Sequence, residues 1–216
     1  MPPLMWRKAD AALSSAGAVL LVGAIIVLSC DLGPQARHMG LHILAMNVVP
    51  PAVAGMIAAH RPMPDAKPSW LWVATAAQIA AVWISHAPPV QAAALAHPGV
   101  QLAMHGLLLV AALSFWMLLL SLRDVRRWHA IPALLLAGKL VCLLAALLVF
   151  APRALYGVGH HHGFTPPLDD QQLAGLLMIA ACPLSYLVAA TVITVQLLNR
   201  GQATGAALRQ PVHGAG

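Results

Sequence analysis

The sequence predicts an all-α integral membrane protein, a bundle of about six transmembrane helices with both termini in the cytoplasm. Three observations carry this expectation. Of the 216 residues, 60% are hydrophobic and only 8% are charged, against about 25% charged in a typical soluble domain. Mean hydropathy is correspondingly high, at +0.79. Six apolar runs, near 11–29, 38–58, 69–86, 99–121, 131–150 and 171–198, are long enough to span, since about 20 helical residues cross the hydrocarbon core. Finally, Lys and Arg alternate by connection. Arg7, Lys8, Arg61, Lys67, Arg123, Arg126, Arg127, Arg200 and Arg209 fall on one side, whereas Arg37 and Arg153 fall on the other. The positive-inside rule assigns the basic side to the cytoplasm. It also accounts for the net charge of +6, so the bilayer is the expected partner and nucleic acid is not.

The first run is longer than the 7–15 apolar residues of a signal peptide. Val27-Leu28-Ser29-Cys30 loosely resembles a lipoprotein cleavage site, and cleavage there would leave the other five spans unchanged. The second run carries His38, His42 and Met46 at intervals of four, which stacks them on one helical face about 6 Å apart along the axis. Met39 points off that face and reads as packing. The third run ends at His86, level with His38 at the outer interface, and the fourth places His105 about 9 Å below its start, near the depth of His42. His97, just before Pro98, reads as a helix-start residue.

On the fifth run Lys139 and Cys142 share a face, three apart. Lys139 stands near mid-membrane, where no acidic residue lies at its depth. On the sixth run Gln171, Gly175, Met178 and Cys182 share a face, at spacings of four, three and four. Pro50-Pro51 and Pro183 are expected to kink the second and sixth spans. Residues 1–200 form a single polytopic membrane domain, and 201–216 form a short cytoplasmic tail expected to be disordered.

Eight of the eleven histidines (His38, His42, His86, His97, His105 and His160–His162) fall on the outer surface or in the outer half of the membrane. An imidazole inside a bilayer is costly unless it lines a cavity, pairs, or binds something. For one such histidine the plain alternative is a packing hydrogen bond to a neighbouring span. A His-x3-His pair with two more histidines at matching depth points instead to a metal site. Imidazole with thioether or thiol suits copper, Cu(I) included, and zinc would also accept several histidines. The triple-histidine loop could capture an ion, or be simply a solvated polar loop. Histidines on facing spans could instead ligate a b-type haem in an electron carrier, or serve helix packing alone in a metal-free structural partner. The chain has no glutamate, and its six aspartates lie in loops and tails. Membrane-embedded acid–base catalysis therefore lacks carboxylates, and no turnover chemistry is expected.

Several segments resemble the CtaG-type family of cytochrome c oxidase assembly factors, the group linked to caa-type oxidases. They are His38-Met39-Gly40-Leu41-His42 followed by Pro50-Pro51, Trp83-Ile84-Ser85-His86-Ala87-Pro88, the run from Ala92 through His97 and His105 to Phe115-Trp116, Phe150 through Tyr156, and Asp170 through Met178. Met104 departs from the pattern by standing where the family usually has an acid. Six predicted spans compare with seven in many members. The resemblance implies a bacterial inner-membrane protein that binds copper near the periplasmic face and delivers it to a subunit of a haem–copper cytochrome c oxidase. Its metal-associated positions would be His38, His42, His86 and His105, with Asp170 and Tyr156 in supporting roles. Whether two copies combine to complete a site is left open.

Overall fold

The computed structural model describes residues 32–156 and 166–208. These residues form six α-helices and no strand: α1 Pro34–His60, α2 Pro68–Ser85, α3 Pro88–Ala96, α4 Pro98–Ser121, α5 Ala130–Val149 and α6 Pro167–Leu208. A 3-10 turn, Asp124–His129, leads into α5. Four stretches are long and apolar enough to cross a membrane: Pro34–His60, Pro98–Ser121, Asp124–Val149 and Pro167–Gln202. The expected run at 11–29, the Val27–Cys30 motif, His160–His162 and the end of the tail lie outside the described residues.

Proline starts most of these helices. Pro34, Pro68, Pro88 and Pro98 each occupy a first-turn position, where the missing N–H has no helical partner to lose. Two elements differ from the sequence reading. The connection after His86 folds into the short helix α3. The last helix begins four residues before 171 and runs ten past 198, eight of them in the stretch set aside as a tail.

α2 has 18 residues but is less apolar than the four long stretches. Its polar side chains turn inward. Thr75 and Gln78 are each only 1% exposed. The Thr75 hydroxyl donates to the Leu71 carbonyl at 2.7 Å, and the Gln78 amide donates to the Tyr186 hydroxyl on α6. A polar pair of this kind ties α2 to α6 where no water competes. Beside it Tyr186 stacks on Trp116 of α4, the rings 6.0 Å apart and nearly parallel.

The proline pair leaves a π turn rather than a simple kink. Residues Leu44–Val48 are π-helical, and the Val49 N–H donates back five residues to the Leu44 carbonyl. Pro50 and Pro51 cannot donate to the carbonyls four residues earlier, so the turn before them widens. From Leu44 to Val48 the regular α-helical period is therefore interrupted. Met46 packs into the buried core with Met39, Met104, Met178 and Cys182. Pro183 lies inside α6, which stays helical through it.

α5 and α6 form the broadest interface, and Gly175 permits their close approach. A Cβ there would lie 2.7 Å from Val149 Cγ2 and 3.0 Å from the Ala145 carbonyl oxygen. Gln171, Met178 and Cys182 are buried on the same face of α6, as their spacing predicts. On α5, however, Lys139 is exposed while Cys142 is half-buried. The lysine faces outward, away from the core.

Chain order places the start of α1, the end of α2, the start of α4, the end of α5 and the start of α6 at one end of the bundle. The opposite end holds the basic connections. There Arg123 donates to the Met63 carbonyl at 2.7 Å, and Arg126 pairs with Asp65.

Candidate metal centre

Three helices bring four histidines together. His38 and His42 lie one turn apart on α1, His86 caps the C-terminus of α2, and His105 sits in the second turn of α4. Ring centroids are 5.0 Å apart for His38–His105, 5.3 Å for His42–His86, 6.3 Å for His38–His42 and 6.4 Å for His42–His105. A candidate ligand atom from each of His38, His42 and His105 lies within 4.8 Å of the other two. Metal–nitrogen bonds of about 2.0–2.1 Å place tetrahedral ligand atoms roughly 3.3 Å apart. Small rotations of the imidazoles would close the difference. The site grades inward, from half-buried His38 and His105 to His42 and His86 at 3% and 5% exposure.

The hydrogen bonds fix which ring nitrogens are available. His86 Nδ1 lies 2.7 Å from the Val82 carbonyl oxygen, and His105 Nδ1 lies 2.8 Å from that of Gln101. A carbonyl only accepts, so each Nδ1 carries the proton and each Nε2 presents a lone pair. Ligating histidines are oriented in this way by the hydrogen bond from their other nitrogen. His86 Nε2 and His42 Nε2 are both buried with no hydrogen-bond partner. Two orphaned imidazole nitrogens at the base of a histidine cluster are costly. They are the donors that an ion would satisfy, so this donor set fits a metal.

A second layer of side chains holds the cluster. The carboxylate of Asp170, in the first turn of α6, accepts the Gln35 N–H at 2.8 Å and the Ala36 N–H at 2.9 Å. It thereby caps α1 immediately before His38, although α1's own N-cap residue, Gly33, has no side chain to do so. Negative charge at a helix N-terminus is favourable on dipole grounds as well. Gly33 is needed for this approach, since a Cβ on it would sit 2.2 Å from the Asp170 Cγ. The adjacent Gln171 accepts the Leu155 N–H at 2.7 Å and donates to the Leu148 carbonyl at 3.1 Å, which fixes the segment leaving α5. That segment carries Tyr156, whose hydroxyl donates to the His86 carbonyl at 3.1 Å. Burial pushes the Tyr156 phenol up to about 12, so it remains a neutral donor across ordinary pH.

The structure thus gathers His38, His42 and His105 into one group of candidate ligands and packs His86 against His42, outside that group of three. His97 lies apart, exposed, as the residue preceding α4. Met46, Met178 and Cys182 are core residues. The Asn47 amide donates to Cys182 Sγ at 3.3 Å, a polar link from α1 to α6 that the sequence reading missed.

The profile of the cytochrome c oxidase caa3 assembly factor family matches residues 66–200, more than half of the chain. His86, His105, Tyr156, Asp170 and Gln171 lie within the match, whereas His38 and His42 precede it. No curated protein and no solved structure matches significantly. The match covers the end of α2 and the start of α6, the two elements that present His86 and cap the histidine-bearing helix. On the strength of that match the chain belongs to the cytochrome c oxidase caa3 assembly factor family.

Proposed function

We propose that this protein binds copper at His38, His42, His86 and His105 and passes it to a subunit of the oxidase whose assembly it serves. The observation that carries the reading is the pair of buried, unpartnered Nε2 atoms of His42 and His86 within a four-imidazole cluster. Neutral imidazole suits copper in either common oxidation state, and copper is what a haem–copper oxidase needs. His38 and His105, half-buried at the rim, admit and release the ion, while His42 and His86 hold it. Transfer is ligand exchange, with donor atoms of a docked oxidase subunit replacing the rim histidines one at a time.

The same reading takes the chain as six-spanning, with both termini in the cytoplasm of a bacterium and the histidine end facing the periplasm. The basic residues at the opposite end support that orientation. A b-type haem fits less well. Three candidate ligand atoms lie within 4.8 Å of one another, so a porphyrin between any two would run into the third imidazole.

The test is to purify the protein in detergent, record its visible spectrum, and measure bound copper, zinc and iron. One copper per chain is expected, abolished by His42→Ala and retained by His129→Ala. A Soret band with stoichiometric iron, or no metal after copper loading, would overturn the proposal.

A further inference from the structure

We propose that the outward stripe of α5 centred on Lys139 docks a membrane-spanning helix of another protein that presents a carboxylate at mid-depth. Lys139 is the tenth of the twenty residues of Ala130–Val149, about 14 Å from either end of the helix. It is exposed and, among the described residues, makes no hydrogen bond or ion pair. Leu136, Leu143 and Leu147, at 43%, 50% and 51% exposure, flank it on the same stripe at intervals of three and four. The site is therefore an ammonium group in the middle of an apolar, lipid-facing surface.

Such a group is costly in a bilayer, and snorkelling relieves it only near the interface. A lysine stem reaches about 6 Å. The hydrocarbon half-thickness is about 15 Å, so headgroup phosphates stay out of range. A counter-charge must come from protein at the same depth.

This chain cannot supply it. It has no glutamate, and its aspartates at 10, 31, 65, 124, 169 and 170 all lie at the ends of apolar runs or in connections. Neither a second copy nor the apolar run at 11–29 brings a carboxylate to mid-membrane. Charge complementarity thus selects a helix from a different protein, with Asp or Glu near its centre and an apolar face to meet the leucines. The inference rests on α5 spanning the membrane and not on the copper site. The family's client makes the oxidase's membrane subunits the first helices to compare.

The test places a photo-crosslinking amino acid at Leu143 of the full-length protein in native membranes and maps the crosslinked peptide by mass spectrometry. The expected product is a span of another protein that carries Asp or Glu within about one turn of the crosslink. Lys139→Met should reduce its yield about tenfold, and Lys139→Arg should preserve it. Lys139→Asp should abolish it, with recovery when the partner's carboxylate is replaced by Lys. A crosslink to a second copy, to residues 1–31, to a span without a carboxylate, or to no protein would overturn the proposal. So would a yield unchanged in Lys139→Met. Copper content measured on the same membranes reports separately on the metal site, so either proposal can fail alone.

Discussion

Asp170 and Gly33 should behave as a single device, and a double-mutant cycle can measure it. Gly33→Ala drives a Cβ to within 2.2–2.5 Å of Cγ and both carboxylate oxygens of Asp170, so the carboxylate must leave. Both of its bonds, to the N–H groups of Gln35 and Ala36 at 2.8 and 2.9 Å, are then lost. Asp170→Ala loses the same two bonds directly. Hydrogen bonds to a charged group contribute about 1.5–3 kcal/mol each, and loss of a cap typically costs about 1 kcal/mol. Ala36 is fully buried at 0% exposure, so its N–H finds no water, whereas half-buried Gln35 can recover part of its bond.

Each single substitution should therefore cost about 2–4 kcal/mol. The double variant should cost about the same as either one, with a coupling of roughly 2 kcal/mol or more. Equilibrium unfolding in detergent with increasing SDS gives the three differences. Copper affinity, read in parallel, should fall with each single variant, because the cap fixes the turn that carries His38. Additive costs, or a Gly33→Ala protein within about 0.5 kcal/mol of wild type, would refute the reasoning.

Further outcomes follow from other close contacts. Gly175→Ala meets the Ala145 carbonyl oxygen and Val149 and should destabilise the α5–α6 pair by about 1–3 kcal/mol, read by the same titration. Tyr156→Phe removes the bond to the His86 carbonyl, at about 1 kcal/mol. Because burial raises that phenol from 10.0 to about 12, its contribution is complete below pH 10 and is lost as pH rises through 12. A wild-type advantage over the Phe variant that disappears already below pH 10 would contradict this. His105→Ala, at the half-buried rim, should leave the fold intact and weaken copper binding about tenfold or more, measured by competition with a chelator of known affinity.

The histidine cluster was legible in the sequence because local rules govern most of it. Four-residue spacing aligns His38 with His42, and counting helical rise brings His86 and His105 to the same end of the bundle, but with the partners exchanged: the count levels His86 with His38 and His105 with His42, whereas the rings pair His42 with buried His86 and His38 with half-buried His105. The Asp170 cap on α1 was not legible, because Asp170 and Ala36 stand 134 residues apart and only tertiary packing brings them together. The π turn at Met46 was not legible for a local reason: the paired prolines widen the turn before them, and a strict α-helical period no longer applies there. For Lys139 the sequence gives depth but not direction. Its shared face with Cys142 was correct only within about a sixth of a turn, enough to separate an exposed residue from a half-buried one.

The cap on α1 also has a temporal meaning. A chain emerging from the ribosome presents His38 and His42 early, yet the carboxylate that closes the start of their helix belongs to α6, made more than 120 residues later. The earlier histidine face cannot reach its final register until α6 has entered the membrane and packed against α5. Maturation of the cluster is thereby tied to the synthesis of α6, and a nascent chain halted before residue 167 would present the four imidazoles without the restraint that aligns them.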